Sequence, residues 1–313
     1  MHAECNSVSF TSLGVLRAHG TDVVSFLQGQ LSNDVAQLTR EHSLLAGYHN
    51  PQGRVIALLR LVSLTPTEVL AVLPRELVGT VIQRLTKFIL RAKVKLADES
   101  AQWSAAGLIA ADLPAAPALR PRGDGLPATV NAAALIDGWI AVCIAARPAR
   151  WLLVGNSARP AALAACAAAD PQVWQRLAIA AGEPQVYAAT SEEFVAQMLN
   201  LDVLGAIAFD KGCYTGQEVI ARAHYRGRVK RRLQRFLAPA ARHLSPGDGG
   251  ELPDGRTLKV VDAVPLPGGG CEFLAVAPPA ADPGEASGAH PAAAPATATL
   301  DAQQLPLPYR LPE

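Results

Sequence analysis

Asp210-Lys211-Gly212-Cys213-Tyr214-Thr215-Gly216-Gln217-Glu218, running on into Val219-Ile220-Ala221-Arg222-Ala223, combines a helix-start pattern with a thiol, an ammonium and two glycines. Thr215 and Glu218 have the S/T-x-x-E spacing in which each side chain satisfies a backbone N–H at a helix start, so a loop is expected to enter a helix at Thr215. Gly212 and Gly216 permit positive φ and a close approach of backbone to a ligand. Cys213 then lies just outside a helix N-terminus and two residues from Lys211, and both neighbours favour its thiolate. Two readings stand side by side: a reactive or ligand-sensing thiol, and a buried structural cysteine in a glycine turn.

Downstream, Arg222, His224, Arg226, Arg228, Lys230, Arg231, Arg232, Arg235 and Arg242 follow with no acid between Glu218 and Asp248. The chain's formal net charge is only +1, so this is a local positive field and gives no general attraction to nucleic acid or an anionic membrane. Beyond a solvated face, it suits an anionic small ligand or the phosphates of an RNA. Nearby aromatics are few, Tyr214 and Tyr225, which favours the small ligand. Further on, residues 233–238, 257–263 and 272–277 read as strands between Gly and Pro turns, and predict a small β-barrel or sandwich. Residues 278–297, rich in Ala, Pro, Gly and Ser, predict a disordered or exposed insertion before a last strand or anchor near 305–309.

Upstream, residues 8–16 alternate as a strand, and Thr21 or Asp22 caps a helix with Val23, Val24, Phe26, Leu27 and Leu31 on its apolar face. Gln28, Asn33 and Asp34 fall at or past its end, where they face a ligand or hold the turn. Residues 44–49 and 54–62 flank Asn50-Pro51-Gln52-Gly53 as a hairpin, with Arg54 placed to enter a cleft. A strand over 68–73 leads into a helix from Pro74 with apolar Leu77, Val78, Val81, Ile82, Leu85, Phe88 and Ile89. Strands over 94–97 and 103–109 complete a compact α+β unit from about residue 46 to 112. Residues 113–126 read as a surface connection. Strands over 139–144 and 151–154, an alanine-rich helix over 159–169, and a helix over 173–181 closed by Gly182 follow.

With 313 residues the chain divides into two or three domains. Its five cysteines, odd in number and without metal-type spacing, argue against a disulfide framework and against a cysteine-ligated zinc or cluster site. They favour the cytoplasm. The polar start, Met1-His2-Ala3-Glu4-Cys5-Asn6, resembles neither a signal nor a transit peptide. No run approaches the roughly 20 apolar residues that span a bilayer. Phosphate-loop, H-E-x-x-H and G-x-S-x-G patterns are absent, and lone His49 and His224 are assigned no role.

Lys211 to Glu218, with Ala221-Arg222, Tyr225-Arg226-Gly227 and Lys230-Arg231, resembles the signature of the YgfZ-type folate-binding proteins, relatives of the glycine-cleavage T-protein, an aminomethyltransferase. The stretches 197–202, 205–209, 26–35 and Leu307-Pro308-Tyr309 resemble the same family, so the similarity covers nearly the whole chain. The resemblance implies an α+β, three-domain T-protein-like ring. Its parts would be a folate-binding domain from 1–45 and 127–228, a ferredoxin-like domain inserted over 46–126, and a C-terminal β-barrel over 229–313. It implies tetrahydrofolate or a one-carbon derivative as bound ligand, and a role in iron-sulfur cluster assembly or repair, including the clusters of tRNA-modifying enzymes. Partners would be folate and iron-sulfur proteins or their assembly factors, with RNA less favoured, for a cytoplasmic monomer away from membranes. Cys213 and Lys211 would sit beside the folate opening as the chemically essential pair. Gln28, Asn33, Arg54, Tyr214, Gly216, Gln217, Glu218 and Arg222 would bind the cofactor, and no metal is expected.

The chain departs from the transferase pattern. Ala57 and Leu58 stand where T-proteins carry an acidic pair that handles protons beside the folate nitrogens. Ala180 replaces a folate-binding glutamate ahead of Gly182, and Ala196 stands where proline precedes Gln197 in the family. An accessory role is therefore expected over aminomethyl transfer. The alternatives are a one-carbon transferase whose carboxylate is Asp34 or Glu218, and a tRNA-binding regulator using the basic run from 222 to 235.

Overall fold

The computed structural model describes residues 5–112, 125–280 and 299–312, except 157, 159, 165, 228 and 240–242. It opens with β1 (Cys5–Phe10) and β2 (Leu13–His19). The single strand expected over residues 8–16 is interrupted at Thr11-Ser12, because its halves join different sheets. Helix α1 (Val23–Gln28) buries Val23, Phe26 and Leu27. The hairpin of β3 (Leu44–His49) and β4 (Val55–Thr65) forms as its turn chemistry predicts, with Gly53 at a φ of 70°. Strand β5 (Glu68–Pro74) runs into α2 (Arg75–Thr86), which buries Leu77, Val78, Val81 and Leu85. The helix stops short of Phe88, which is left 46% exposed. With β6 (Lys95–Asp98) the first sheet is complete, an antiparallel five-stranded layer ordered β3-β4-β5-β2-β6. It starts at Leu13, so its strand pairing runs across residue 46.

Strand β7 (Ser104–Ala110) leaves that sheet and pairs with β1. With β8 (Ala133–Ile136), β9 (Trp139–Ala146) and β10 (Ala149–Gly155) it builds most of a six-stranded sheet. The alanine-rich helix expected over 159–169 is cut to α3 (Ala161–Ala164), and β11 (Ala167–Ala168) instead pairs in parallel with Asn6 and Ser7 of β1. That pairing places Cys5 and Cys166 side by side in a disulfide. The cysteine count gave no sign of this bridge, since its halves are 161 residues apart and only the fold of the sheet edge joins them. Helix α4 (Pro171–Ala180) is capped by Asp170, whose carboxylate accepts from the Gln172 N–H, and it is followed by Gly182 at a φ of 67°.

After a stretch of turns, α5 (Gln217–Tyr225) leads to the last sheet. It comprises β12 (Arg232–Ala238), β13 (Gly249–Glu251), β14 (Thr257–Pro265), β15 (Cys271–Ala277) and β16 (Gln303–Leu305), ordered β13-β14-β15-β12-β16. The largest apolar core joins α1 and the first sheet to Leu199, Leu201 and Ile220, and on to Val261, Val264, Leu274 and Val276 of the last. Removing any one of these large side chains from so continuous a core costs about 2–5 kcal/mol. The connection at 113–126 and the insertion at 278–297 lie almost wholly outside the described residues. Among the described residues no helix is long and apolar enough to cross a membrane.

Candidate functional site

The loop from Asp210 to Gly216 is a joint as much as a surface. Lys211 folds back onto the carbonyl-rich end of α1, where Nζ donates to the carbonyls of Gln28, Leu31 and Asn33, each at 2.7 Å. An ammonium has three donors, and all are used. Burial pulls Lys211 down to about 8, which leaves it charged at neutral pH. Its Nζ also lies 5.2 Å from the centroid of the Tyr214 ring. Helix α5 begins at Gln217, two residues later than expected, because Gly216 takes the N-cap in the left-handed region, with a φ of 82°. The Thr215–Glu218 capping box does not form. Instead the Gln217 Oε1 accepts from the Tyr214 N–H at 3.1 Å. The hairpin turn presses against this corner so closely that a Cβ on Gly216 would lie 2.4 Å from the Asn50 carbonyl oxygen.

Cys213, between these anchors, is exposed, which removes the reading of a buried structural thiol. His49 is buried, 6.4 Å from the Tyr214 ring. Burial holds His49 down to about 4, so it is neutral. Burial likewise raises Tyr214 to about 12.

The other residues singled out from the sequence are engaged within the chain. Gln28 Nε2 donates to Asp34, and Gln28 Oε1 accepts from the Val35 N–H. Asn33 Nδ2 donates to the carbonyls of Leu45 and Gly205, tying α1's end to the approach to the motif. Arg54 donates to the carbonyls of Glu192 and Glu193. Glu218 and Arg222 are exposed on α5.

None of these residues lines the large cavity of about 1250 Å³, whose walls come from all three sheets and α4. Trp174 of α4 lines it. Phe10 meets the Trp174 ring edge-on at 5.3 Å, and the Arg150 guanidinium lies 5.3 Å from the ring centroid. Glycine is required at position 107 of β7, because a Cβ there would come within 2.6 Å of the ring. Arg150 in turn donates to Glu183 at 2.6 Å. Across the cavity Arg60 donates to Asn131 at 2.6 Å, and burial lowers Arg60 to about 10. Leu58 lines the cavity from β4, whereas Ala57, on the opposite face of that strand, is fully buried in the core. Aromatic surface with a few convergent polar groups in a cavity is the usual build of a small-molecule site. Sequence reasoning passed over Trp174, Arg60 and Asp262. The available signals were a tryptophan in the first turn of the helix expected over 173–181 and an acid set among Val260, Val261, Ala263 and Val264.

No family model matches the chain. The tRNA-modifying protein YgfZ of Escherichia fergusonii is 34% identical over 263 residues, which are 80% of this chain and 78% of that protein. The chain belongs to the YgfZ family. The glycine cleavage system aminomethyltransferase T from Bartonella henselae, at 14% identity, superposes with a TM-score of 0.67 over 88% of this chain and 79% of that one. The fold is thus mixed α/β, with several sheets and few helices, similar to that of an aminomethyltransferase.

In this YgfZ-family chain the approach to the motif is also mechanical. Gln197 donates to the Ile220 carbonyl, Asn200 to that of Leu233, and Arg232 forms a two-pronged ion pair with Asp202. At the end of the chain Tyr309 donates to the Gly182 carbonyl, which anchors the C-terminal residues over α4. The basic run divides in the same way. Arg232 and Arg235 are spent on Asp202 and Glu272, while Arg222, Arg226 and Lys230 are exposed, and Arg228 and Arg242 lie outside the described residues. Beside the exposed bases, Phe209 and His224 stack at 3.8 Å, with Tyr225 edge-on to both and 67% exposed.

Proposed function

We propose that this chain is a tetrahydrofolate-binding accessory protein that supports tRNA modification by serving the iron-sulfur clusters of modifying enzymes. The observation that carries the reading is the cavity held open around Trp174. A flat heteroaromatic ring stacks on such a fixed indole, and the apolar walls of Leu13, Leu45, Leu58 and Leu152 suit the linking part of a folate. Arg60 and Arg75 supply the cations that carboxylates of its tail require. Bound tetrahydrofolate would supply one-carbon or reducing chemistry, and the exposed Cys213 would meet the client from outside the cavity. Family membership supports the tRNA link through the name of the Escherichia fergusonii relative. We further propose the ring arrangement, with the last sheet as its barrel, on the strength of walls contributed by all three sheets.

Aminomethyl transfer is less well supported. Asp34 is held by Gln28 and Gln37, Glu218 is exposed on α5, and neither lines the cavity. A tRNA-binding role for the Phe209, His224 and Tyr225 cluster with its flanking arginines is the second reading, favoured by that exposed stack. Calorimetric titration with tetrahydrofolate and with tRNA, each at low and moderate salt, separates the two. Saturable folate binding that survives the higher salt supports the cavity, whereas no folate binding together with steeply salt-dependent tRNA binding sinks the folate reading.

A further inference from the structure

Resting on the folate reading of the cavity, we propose that Asp262, oriented by Tyr187 and Gln175, is a recognition site for the exocyclic amine of an amino-substituted heterocycle. Asp262 lies on β14 and lines the cavity, yet it is only 3% exposed. Among the described residues no lysine, arginine or histidine forms an ion pair with it. A carboxylate buried without a counter-charge is costly unless hydrogen bonds compensate it.

The compensation is uneven. Oδ1 accepts from Gln175 Nε2 at 2.7 Å and from the Ala263 N–H at 2.9 Å, which fills both of its lone-pair directions. Oδ2 accepts only from the Tyr187 hydroxyl, at 3.2 Å. One strong acceptor site therefore stays open at the cavity wall. Gln175 also donates to the Ala263 carbonyl at 3.1 Å, so helix α4 holds the carboxyl plane fixed against β14. Burial raises Asp262 to about 6 and lifts Tyr187 well above its ordinary value. The matching ligand group is a single N–H donor, the exocyclic amine at the edge of a ring that stacks on Trp174.

This assigns the task to a residue of the last sheet, on β14. It also gives α4 two roles at once, since Trp174 and Gln175 are consecutive: one holds the ring face and the other aims the group that reads its edge.

The test is a two-by-two comparison. Wild-type protein and Asp262→Asn are titrated calorimetrically with tetrahydrofolate and with its 2-desamino-2-methyl analogue, which lacks the exocyclic amine. Hydrogen bonds to a charged group set the scale, so wild type should prefer the natural ligand by about tenfold to a hundredfold. Asp262→Asn should bind tetrahydrofolate about tenfold or more weakly and lose most of that preference, while its thermal melt shows a folded protein. A second variant, Tyr187→Phe, keeps the carboxylate and should retain part of the preference. Wild-type binding without preference, or a preference undiminished in Asp262→Asn, overturns this inference and leaves the folate reading standing. Wild-type protein that binds neither compound overturns both.

Discussion

The ammonium of Lys211 donates to the carbonyl of Asn33 at 2.7 Å, across 178 residues of sequence. With matching bonds to Gln28 and Leu31, it fastens the signature loop to the end of α1. Removing it leaves buried carbonyls short of a charged donor. Lys211→Ala should therefore destabilise the protein by about 2–3 kcal/mol in urea unfolding. Lys211→Arg should not rescue it, because a planar guanidinium does not converge on three oxygens as an ammonium does. A loss below about 0.5 kcal/mol would show that these bonds add nothing net.

Cys213 has the opposite character. It is exposed, while Cys143 and Cys271 are buried and Cys5 and Cys166 are bonded to each other. Native protein should react with iodoacetamide at one thiol, and at three in urea without reductant. Cys213→Ala should keep the native melting temperature yet fail to restore modifying-enzyme activity in cells lacking the protein. Full restoration by the alanine variant would make the thiol dispensable.

Much of this architecture was legible. The Asn50 to Gly53 turn announced its hairpin because proline and a positive-φ glycine leave the chain few alternatives. The interruption at Thr11-Ser12 was not legible, since neither residue is a breaker and only the choice of sheet partner divides β1 from β2. At Thr215 the local capping pattern lost to a glycine that the hairpin turn requires. The signature residues were easy to find, but their spacing carries no information on whether a polar atom faces a ligand or a distant carbonyl. Asp262 was hidden for the reverse reason: one acid in an apolar strand gains meaning only when α4 and Tyr187 arrive from elsewhere in the chain.

Gly216 tests the close fit of turn and loop. Alanine there must hold a left-handed φ of 82° and place its Cβ 2.4 Å from the Asn50 carbonyl oxygen. Gly216→Ala should cost about 2 kcal/mol or more, read as a drop in the urea midpoint. A midpoint equal to wild type would mean that the turn moves away freely.

Two buried groups shape the response to acid with opposite signs. His49 is held down from 6.5 to about 4, so the unfolded chain takes up a proton that the folded one refuses. Its contribution is present above about pH 6.5 and lost as pH falls to 4, up to about 3 kcal/mol. Asp262 is raised from 3.8 to about 6, so its contribution is present below pH 4 and lost as pH rises through 6, on a similar scale. The slopes oppose each other between pH 4 and 6. Asp262→Asn should therefore make stability rise more steeply with pH across that window than in wild type, as measured by urea unfolding at several pH values. Parallel curves would remove Asp262 from the balance.

The central claim is that the ligand occupies the cavity at Trp174 and not the outer face of the Cys213 loop. The most direct measurement is calorimetric titration of tetrahydrofolate into wild type, Trp174→Ala and Cys213→Ala in parallel. Loss of the stacked ring should weaken binding at least about tenfold in Trp174→Ala, with wild-type affinity and one-to-one stoichiometry kept in Cys213→Ala. Binding unchanged in Trp174→Ala but lost in Cys213→Ala would contradict the account and move the site to the loop.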